Sequence, residues 1–216
     1  MIRGRREWVN DAFLLALVVA VSCMYFILNV PHISMNVLRT FMDDQIPRIS
    51  FFSIIYLAFL PWFWGVVFYS WFKNRFFRQL AYSVIIVNLI AFVIYLFFQT
   101  YVPRESIMDN DFFSGLLRFI YNHDQPYSAF PSLHAALSAV VATYFVCAKS
   151  KWSWAFVAMA VLVAISTLFV KQHFILDVLS GVVLGVLVTW VVFRFFPKEV
   201  NIFNIDKNRR LSPYDK

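Results

Sequence analysis

The segment LFVKQHFILDVLSG, Leu168 to Gly181, places His173 four residues before Asp177, with Lys171 just ahead of both. That spacing puts the imidazole and the carboxylate on one helix face. Upstream, FPSLHA (Phe130 to Ala135) supplies a second histidine, His134. Such a set suits the cleavage of a phosphate ester. That reaction needs a nucleophile, a proton for the departing alkoxide, and cations or N–H groups around the phosphoryl oxygens. A neutral His173 would attack phosphorus if Asp177 accepts from its other ring nitrogen and fixes the tautomer. His134 would act as general acid, then as the base that activates water. Arg104 and Lys171 would hold the equatorial oxygens, with Ser132, Ser166 and nearby backbone N–H groups filling the remainder. This chemistry calls for no metal and no other cofactor.

Each residue also has a plainer reading. His173 and Asp177 could be an interfacial ion pair capping a helix. Lys171 could snorkel from the end of an apolar segment, and Arg104 could be a loop cation without a ligand. Ser166 could bond to a carbonyl within its own helix. Arg118, His123 and Asp124 either shape the rim of a site or stay solvated. Cost favours function for the histidine and aspartate, because a charged pair at the edge of an apolar helix is expensive filler.

The elements that must position these groups are apolar helices. The chain has 216 residues, of which 61% are hydrophobic, 20% aromatic and 14% charged, against roughly 25% charged in a soluble domain. Its mean hydropathy is +0.69. Apolar runs of about 20 residues place it among membrane proteins. Six spans are expected: Ala12 to Val30, Ser50 to Phe72 with Pro61 inside, Leu80 to Gln99, Ser132 to Ala148, Trp154 to Val170, and Ile175 to Phe196. The expected fold is therefore all-α, a polytopic bundle of six transmembrane helices forming one domain over residues 1–216. Residues 1–10 and 197–216 are expected to be cytoplasmic tails.

Arg3, Arg5 and Arg6 ahead of the first run resemble the front of a signal peptide, but the run is long and lacks a clear small-residue cleavage site, so it reads as a retained span. Pro31 ends it or kinks its last turn. The connector His32 to Ser50 is expected to hold a brief interfacial helix over MNVLRTFM, Met35 to Met42. Lys73 to Arg78 and Lys149 to Trp152 read as tight basic turns. The longest connection, Thr100 to Phe130, contains FFSGLLRFIY, amphipathic enough to lie along the membrane surface, and its length fits a lid or substrate rim. Cys23 and Cys147 sit in apolar runs and read as small buried side chains.

Charge then fixes the orientation. With six spans, the side of the termini carries fourteen basic and five acidic residues, a net of +9, and the other side five basic and seven acidic, a net of −2. Basic residues stay cytoplasmic, so both termini are expected there. The loops bearing Arg104, His134, Lys171 and His173 then emerge together on the outer face. The overall charge of +7 is thereby assigned to topology and not to a nucleic-acid partner. Four histidines without partnering cysteines give no zinc spacing, and there is no glycine-rich phosphate loop. Oligomeric state leaves no signal.

PSLH at Pro131 to His134, followed by Ser166, His173 and Asp177, resembles the type 2 phosphatidic acid phosphatase (PAP2) superfamily of histidine phosphatases. The family's second motif is PSGH. Its third is serine-arginine, five residues, histidine, three residues, aspartate, and Ser166, His173 and Asp177 fall at the right offsets. Leu133 replaces the motif glycine but keeps a backbone donor for phosphate, and Thr167 stands at the arginine position. The family's first motif has no literal copy; TYVPRES, with Pro103 and Arg104, is the nearest segment. These features are similar to the branch that includes inositol-phosphorylceramide and sphingomyelin synthase-like proteins. There a basic residue near the late histidine is common, and Lys171 and DDQIP (Asp43 to Pro47) fit. The resemblance implies a membrane lipid phosphate as substrate, at the outer face of the cytoplasmic membrane. Phosphatidic acid, phosphatidylglycerol phosphate and polyprenyl diphosphate are the implied candidates. It also admits transfer of a phospho-headgroup between lipids, and the fold alone admits a non-catalytic lipid carrier or scaffold.

Overall fold

A computed structural model describes residues 5–31, 33–73 and 76–196. Regular structure among them is helical, apart from one parallel bridge between Asn36 and Thr100. The order is α1 (Arg5–Leu28), α2 (Phe41–Gln45), a 3₁₀ turn (Ser50–Phe52), α3 (Ser53–Lys73), α4 (Phe77–Phe97), α5 (Phe112–His123), α6 (Leu133–Cys147), α7 (Ser153–Phe169) and α8 (Ile175–Phe195). Helix α1, the 3₁₀ turn with α3, α4, and α8 are each long and apolar enough to cross a membrane. All six expected apolar segments are helical, but α6 and α7 have only 15 and 17 residues. At about 1.5 Å per residue both fall short of a hydrocarbon core about 30 Å thick. Ser132 caps α6 at its start, and α7 stops where the N–H groups of Gln172 and His173 fold back onto the Thr167 carbonyl.

Helix α6 is the centre of the bundle. It packs most extensively on α8 and α7, and also meets α4 and α3. Ala136, Val140 and Val141 on it are fully buried. Against α8 the backbones touch. A Cβ on Gly181 would lie 2.4 Å from the Ser132 carbonyl oxygen, and one on Gly185 would lie 2.2 Å from that of Ala136. Small residues four apart opposite Ala135, Ala136 and Ala139 allow this approach, a common solution where lipid supplies no hydrophobic drive between helices. The other face of α8 exposes Leu179, Val183, Leu187 and Trp190, an apolar surface of the kind lipid covers.

Several local expectations need correcting. Helix α1 starts at Arg5, so residues 5–10 of the expected tail are helical, and Asp11 is buried with Arg78 of α4 at 2.7 Å. Residues 1–4 and 197–216, the remainder of the expected tails, lie outside the described residues, as do His32 and, in the first basic turn, Asn74 and Arg75. The connector helix does not span Met35 to Met42. Asn36 instead exchanges backbone hydrogen bonds with Gln99 and Tyr101, both 3.0 Å, and holds that stretch extended. The helix forms at Phe41–Gln45, where Asp43 Oδ2 accepts from the N–H and hydroxyl of Thr40. Cys23, expected to be buried, is exposed on α1. Pro61 sits within unbroken α3. The amphipathic segment of the long connection forms α5, capped by Asp111, which accepts from Phe113 N and Ser114 N.

Candidate active site

The turn between α7 and α8 delivers the late histidine. Lys171 adopts φ 55°, and the Thr167 carbonyl accepts from the N–H of Gln172 at 3.0 Å and of His173 at 3.3 Å. The chain reverses and sets His173 just ahead of α8. Asp177 lies in the first turn of α8, where a carboxylate is favoured by the free N–H groups. Its Oδ2 accepts from Phe174 N–H at 2.8 Å and lies 3.6 Å from His173 Nδ1, outside hydrogen-bond reach. Both side chains are buried, and neither His173 Nδ1 nor Asp177 Oδ1 has a hydrogen-bond partner among the described residues. The expected pair is adjacent, and a small rotation would join it.

His134 is the second residue of α6 and is placed by what surrounds its N-terminus. Ser132 Oγ accepts from Ala135 N at 3.4 Å, and Ser132 N donates to the Asp177 carbonyl at 2.9 Å. That second bond ties the PSLH turn to the helix bearing the carboxylate. Tyr95 donates to the Pro131 carbonyl at 2.7 Å. The result brings the ring centroids of His134 and His173 to 6.0 Å, close enough for one phosphoryl group to touch both imidazoles.

The remaining candidates divide. Arg104 donates to the carbonyls of Tyr121 and Asp124 and, at 3.1 Å, to Gln172 Oε1, beside His173. Its guanidinium also lies 4.6 Å from the Tyr121 ring centroid, a favourable cation–π distance. Burial pulls Arg104 below its ordinary value, with the Asp124 charge opposing. Arg104 Nε and Gln172 Nε2 are buried donors with no partner among the described residues. Leu133 is buried at the start of α6. Ser166 donates to the Val163 carbonyl at 2.7 Å within its own helix, as the plainer reading has it. Lys171 Nζ bonds to the carbonyls of Asp43 at 3.3 Å and Ile46 at 2.5 Å, so its ammonium clamps the connector to the turn. His173, Asp177, His134, Ser132 and Arg104 are thus brought to one end of the bundle, while Ser166 and Lys171 hold backbone.

Other residues stand beside this set that sequence reasoning passed over or left as solvated loop. Asp124 accepts from Tyr25 Oη at 2.7 Å, Asn29 Nδ2 at 3.0 Å and the Tyr56 hydroxyl. The Tyr56 ring lies 4.4 Å from that of His134, and Phe59 lies 4.8 Å away. A cavity of about 10 Å³ is lined by Tyr25, Asp124, Gln125, Ser128, Gln172 and His173, among others. Asp43 Oδ1 accepts from Ile175 N at 2.8 Å and so caps α8 from the connector. A lone loop aspartate carries no sequence signal of such partners; only Asn29, a polar residue closing an apolar run, hints at one.

The model of the PAP2 superfamily matches residues 31–191. The chain belongs to the PAP2 superfamily. The PAP2 match takes in His134, His173, Asp177 and Asp124, and leaves all of α1 outside. The chain is also similar to an uncharacterized protein of Methanocaldococcus jannaschii, 31% identical over 161 residues. That alignment covers 71% of this chain but 63% of the relative, so the chain spans less than two thirds of the relative's length. No solved structure matches the chain.

Proposed function

We propose that the protein is a membrane enzyme that cleaves a phosphomonoester or diphosphate of a lipid through a phosphohistidine at His173. The approach of His134 to within 6.0 Å of His173, with Asp177 beside Nδ1 of the latter, carries this reading. With Nδ1 turned to Asp177, Nε2 attacks phosphorus, the P–O bond to the lipid breaks, and His134 gives its proton to the leaving oxygen. Water then attacks the phosphohistidine, His134 takes its proton, and the P–N bond breaks to give phosphate and neutral His173. The unpartnered donors Arg104 Nε and Gln172 Nε2 would serve the phosphoryl oxygens. Phosphatidic acid, phosphatidylglycerol phosphate and polyprenyl diphosphate are the candidate substrates.

The topology belongs to the same proposal. Helix α6 is walled by α3, α4, α7 and α8, so its short length is set against protein more than lipid, and six helices cross. The charge asymmetry supports an orientation with both termini in the cytoplasm and the histidines at the outer face of the cytoplasmic membrane.

One observation favours a second reading. Arg104 and Lys171 both hold backbone carbonyls, and the Asp124 carboxylate borders the cavity at His173. Such a site suits the single charge of a phosphodiester better than the two of a monoester, as in transfer of a phospho-headgroup between lipids. The test is to incubate detergent-purified protein with radiolabelled lipid monoesters, diphosphates and diesters, with and without acceptor lipids. Free phosphate released by the parent, and reduced at least roughly a thousandfold by His173→Ala, is the expected result. Label on an acceptor lipid, equally dependent on His173, selects the transferase. No turnover contradicts both and leaves a non-catalytic lipid carrier or scaffold.

A further inference from the structure

His173 has a carboxylate one turn away, whereas α6 carries no charged residue that could serve His134. A route from His134 to a carboxylate runs through Tyr56 on α3. The Tyr56 side chain is buried, its ring plane is 31° from that of His134, and its hydroxyl is donated to Asp124. Phe59, on the next turn of α3, also packs against His134. Asp124 is fixed independently from α1: Tyr25 donates to it, and Asn29 Nδ2 reaches both Asp124 and Tyr25 Oη at 3.0 Å. Asn29 Oδ1 accepts from Tyr127 N at 3.0 Å, and its Nδ2 donates to the Gln125 carbonyl at 2.7 Å. The end of α1, one face of α3 and the segment entering α6 therefore converge on a single carboxylate. Arg104, which donates to the Asp124 carbonyl, joins the same segment to Gln172.

We propose that Asp124 is a positioning residue for His134, acting through Tyr56. The carboxylate holds the phenol in one place, and the phenol ring holds the imidazole turned toward His173. A phenol that donates to a carboxylate also presents a more electron-rich face, which attracts the positive charge His134 carries whenever it holds the extra proton. The arrangement would serve both halves of the reaction, since the same ring must give a proton and later take one in one position. This rests on the reading of His134 as general acid and base, although the geometric part can be tested without turnover.

The experiment has two arms, on detergent-solubilised full chain. In the first, histidine ring-proton NMR locates the His134 signal by its loss in His134→Gln. The expected parent signal is shifted upfield by the packed rings. Asp124→Ala and Tyr56→Leu should both relax it toward the position of a free histidine and leave the His173 signal in place; Tyr56→Phe, which keeps the ring but loses its tether, should match Asp124→Ala and fall short of Tyr56→Leu. In the second arm, Asp124→Ala and Tyr56→Leu should lower kcat roughly 10- to 100-fold, the cost of a displaced catalytic group, with KM unchanged, and Asp124→Glu should recover part of the loss. An unmoved His134 signal in Asp124→Ala overturns the proposal, as does a kcat equal to the parent's. A parent with no turnover on any lipid contradicts the proposed function instead, and the NMR arm alone then decides this inference.

Discussion

Asp177 serves two partners with one oxygen. Its Oδ2 caps the Phe174 N–H and faces His173, while Oδ1 has no partner among the described residues. Two substitutions separate these roles. Asp177→Asn keeps an oxygen for the cap but removes the charge behind His173, so under the proposed function turnover should fall roughly 10⁴-fold, the loss seen when a Ser-His-Asp triad loses its carboxylate, with melting temperature nearly unchanged. Asp177→Ala should lose activity equally and also about 1 kcal/mol of stability through the missing cap. Equal melting temperatures for the two variants would contradict the capping role. Lys171 gives a second prediction. Its ammonium holds the Asp43 and Ile46 carbonyls, so Lys171→Met should lower thermal stability by about 1.5–3 kcal/mol and leave KM unchanged; a phosphate clamp would raise KM. His134 stood out through FPSLHA, and the nearness of His173 to Asp177 was legible from their four-residue spacing, although His173 sits in the turn before α8 and not on the helix. The role of Lys171 was not, because a left-handed residue at φ 55° ends the helix there and a connector 125 or more residues away supplies its partners.

At the scale of elements, the contact of α6 with α8 sets the distance between the histidines. Gly181 and Gly185 press on the backbone of the turn and helix that carry His134. Gly185→Ala should force the two helices apart, costing about 1–3 kcal/mol or more and lowering turnover together with the fraction of folded protein. Gly65→Ala on α3, where an added methyl meets nothing within 4 Å, is the control and should gain up to about 1 kcal/mol from helix propensity. Thermal melting in detergent checks both, and a Gly185→Ala variant as stable as the parent would contradict the close packing. The apolar runs made the helices legible, and α5 appeared where its amphipathic pattern placed it. The facing of glycine to alanine was not read, because spacing on one helix does not reveal its partner. The connector around Asn36 was misread as helix because its competing partners, Gln99 and Tyr101, are remote in sequence.

For the whole molecule, the account requires six crossings with the histidines opposite the termini. Single cysteines introduced into residues 105–110, after replacement of Cys23 and Cys147 by alanine, should react with an impermeant reagent added to intact cells. Cysteines at residues 149–151 should react only after permeabilisation. The reverse pattern would overturn the orientation. Charge asymmetry is what predicts this arrangement from the sequence, since it sums over the chain and needs no contacts. The Asp124 cluster is the opposite case, because its partners lie 68 to 99 residues from it and meet only when α1, α3 and the approach to α6 assemble. The central claim concerns a bond to His173, and trapping that bond tests it most directly. Protein mixed with phosphorus-labelled lipid substrate and quenched in alkaline detergent should retain label that is acid-labile, maps to the peptide bearing His173, and is absent from His173→Ala. Product formed by the parent with no label on His173, or with label on another residue, would contradict the account.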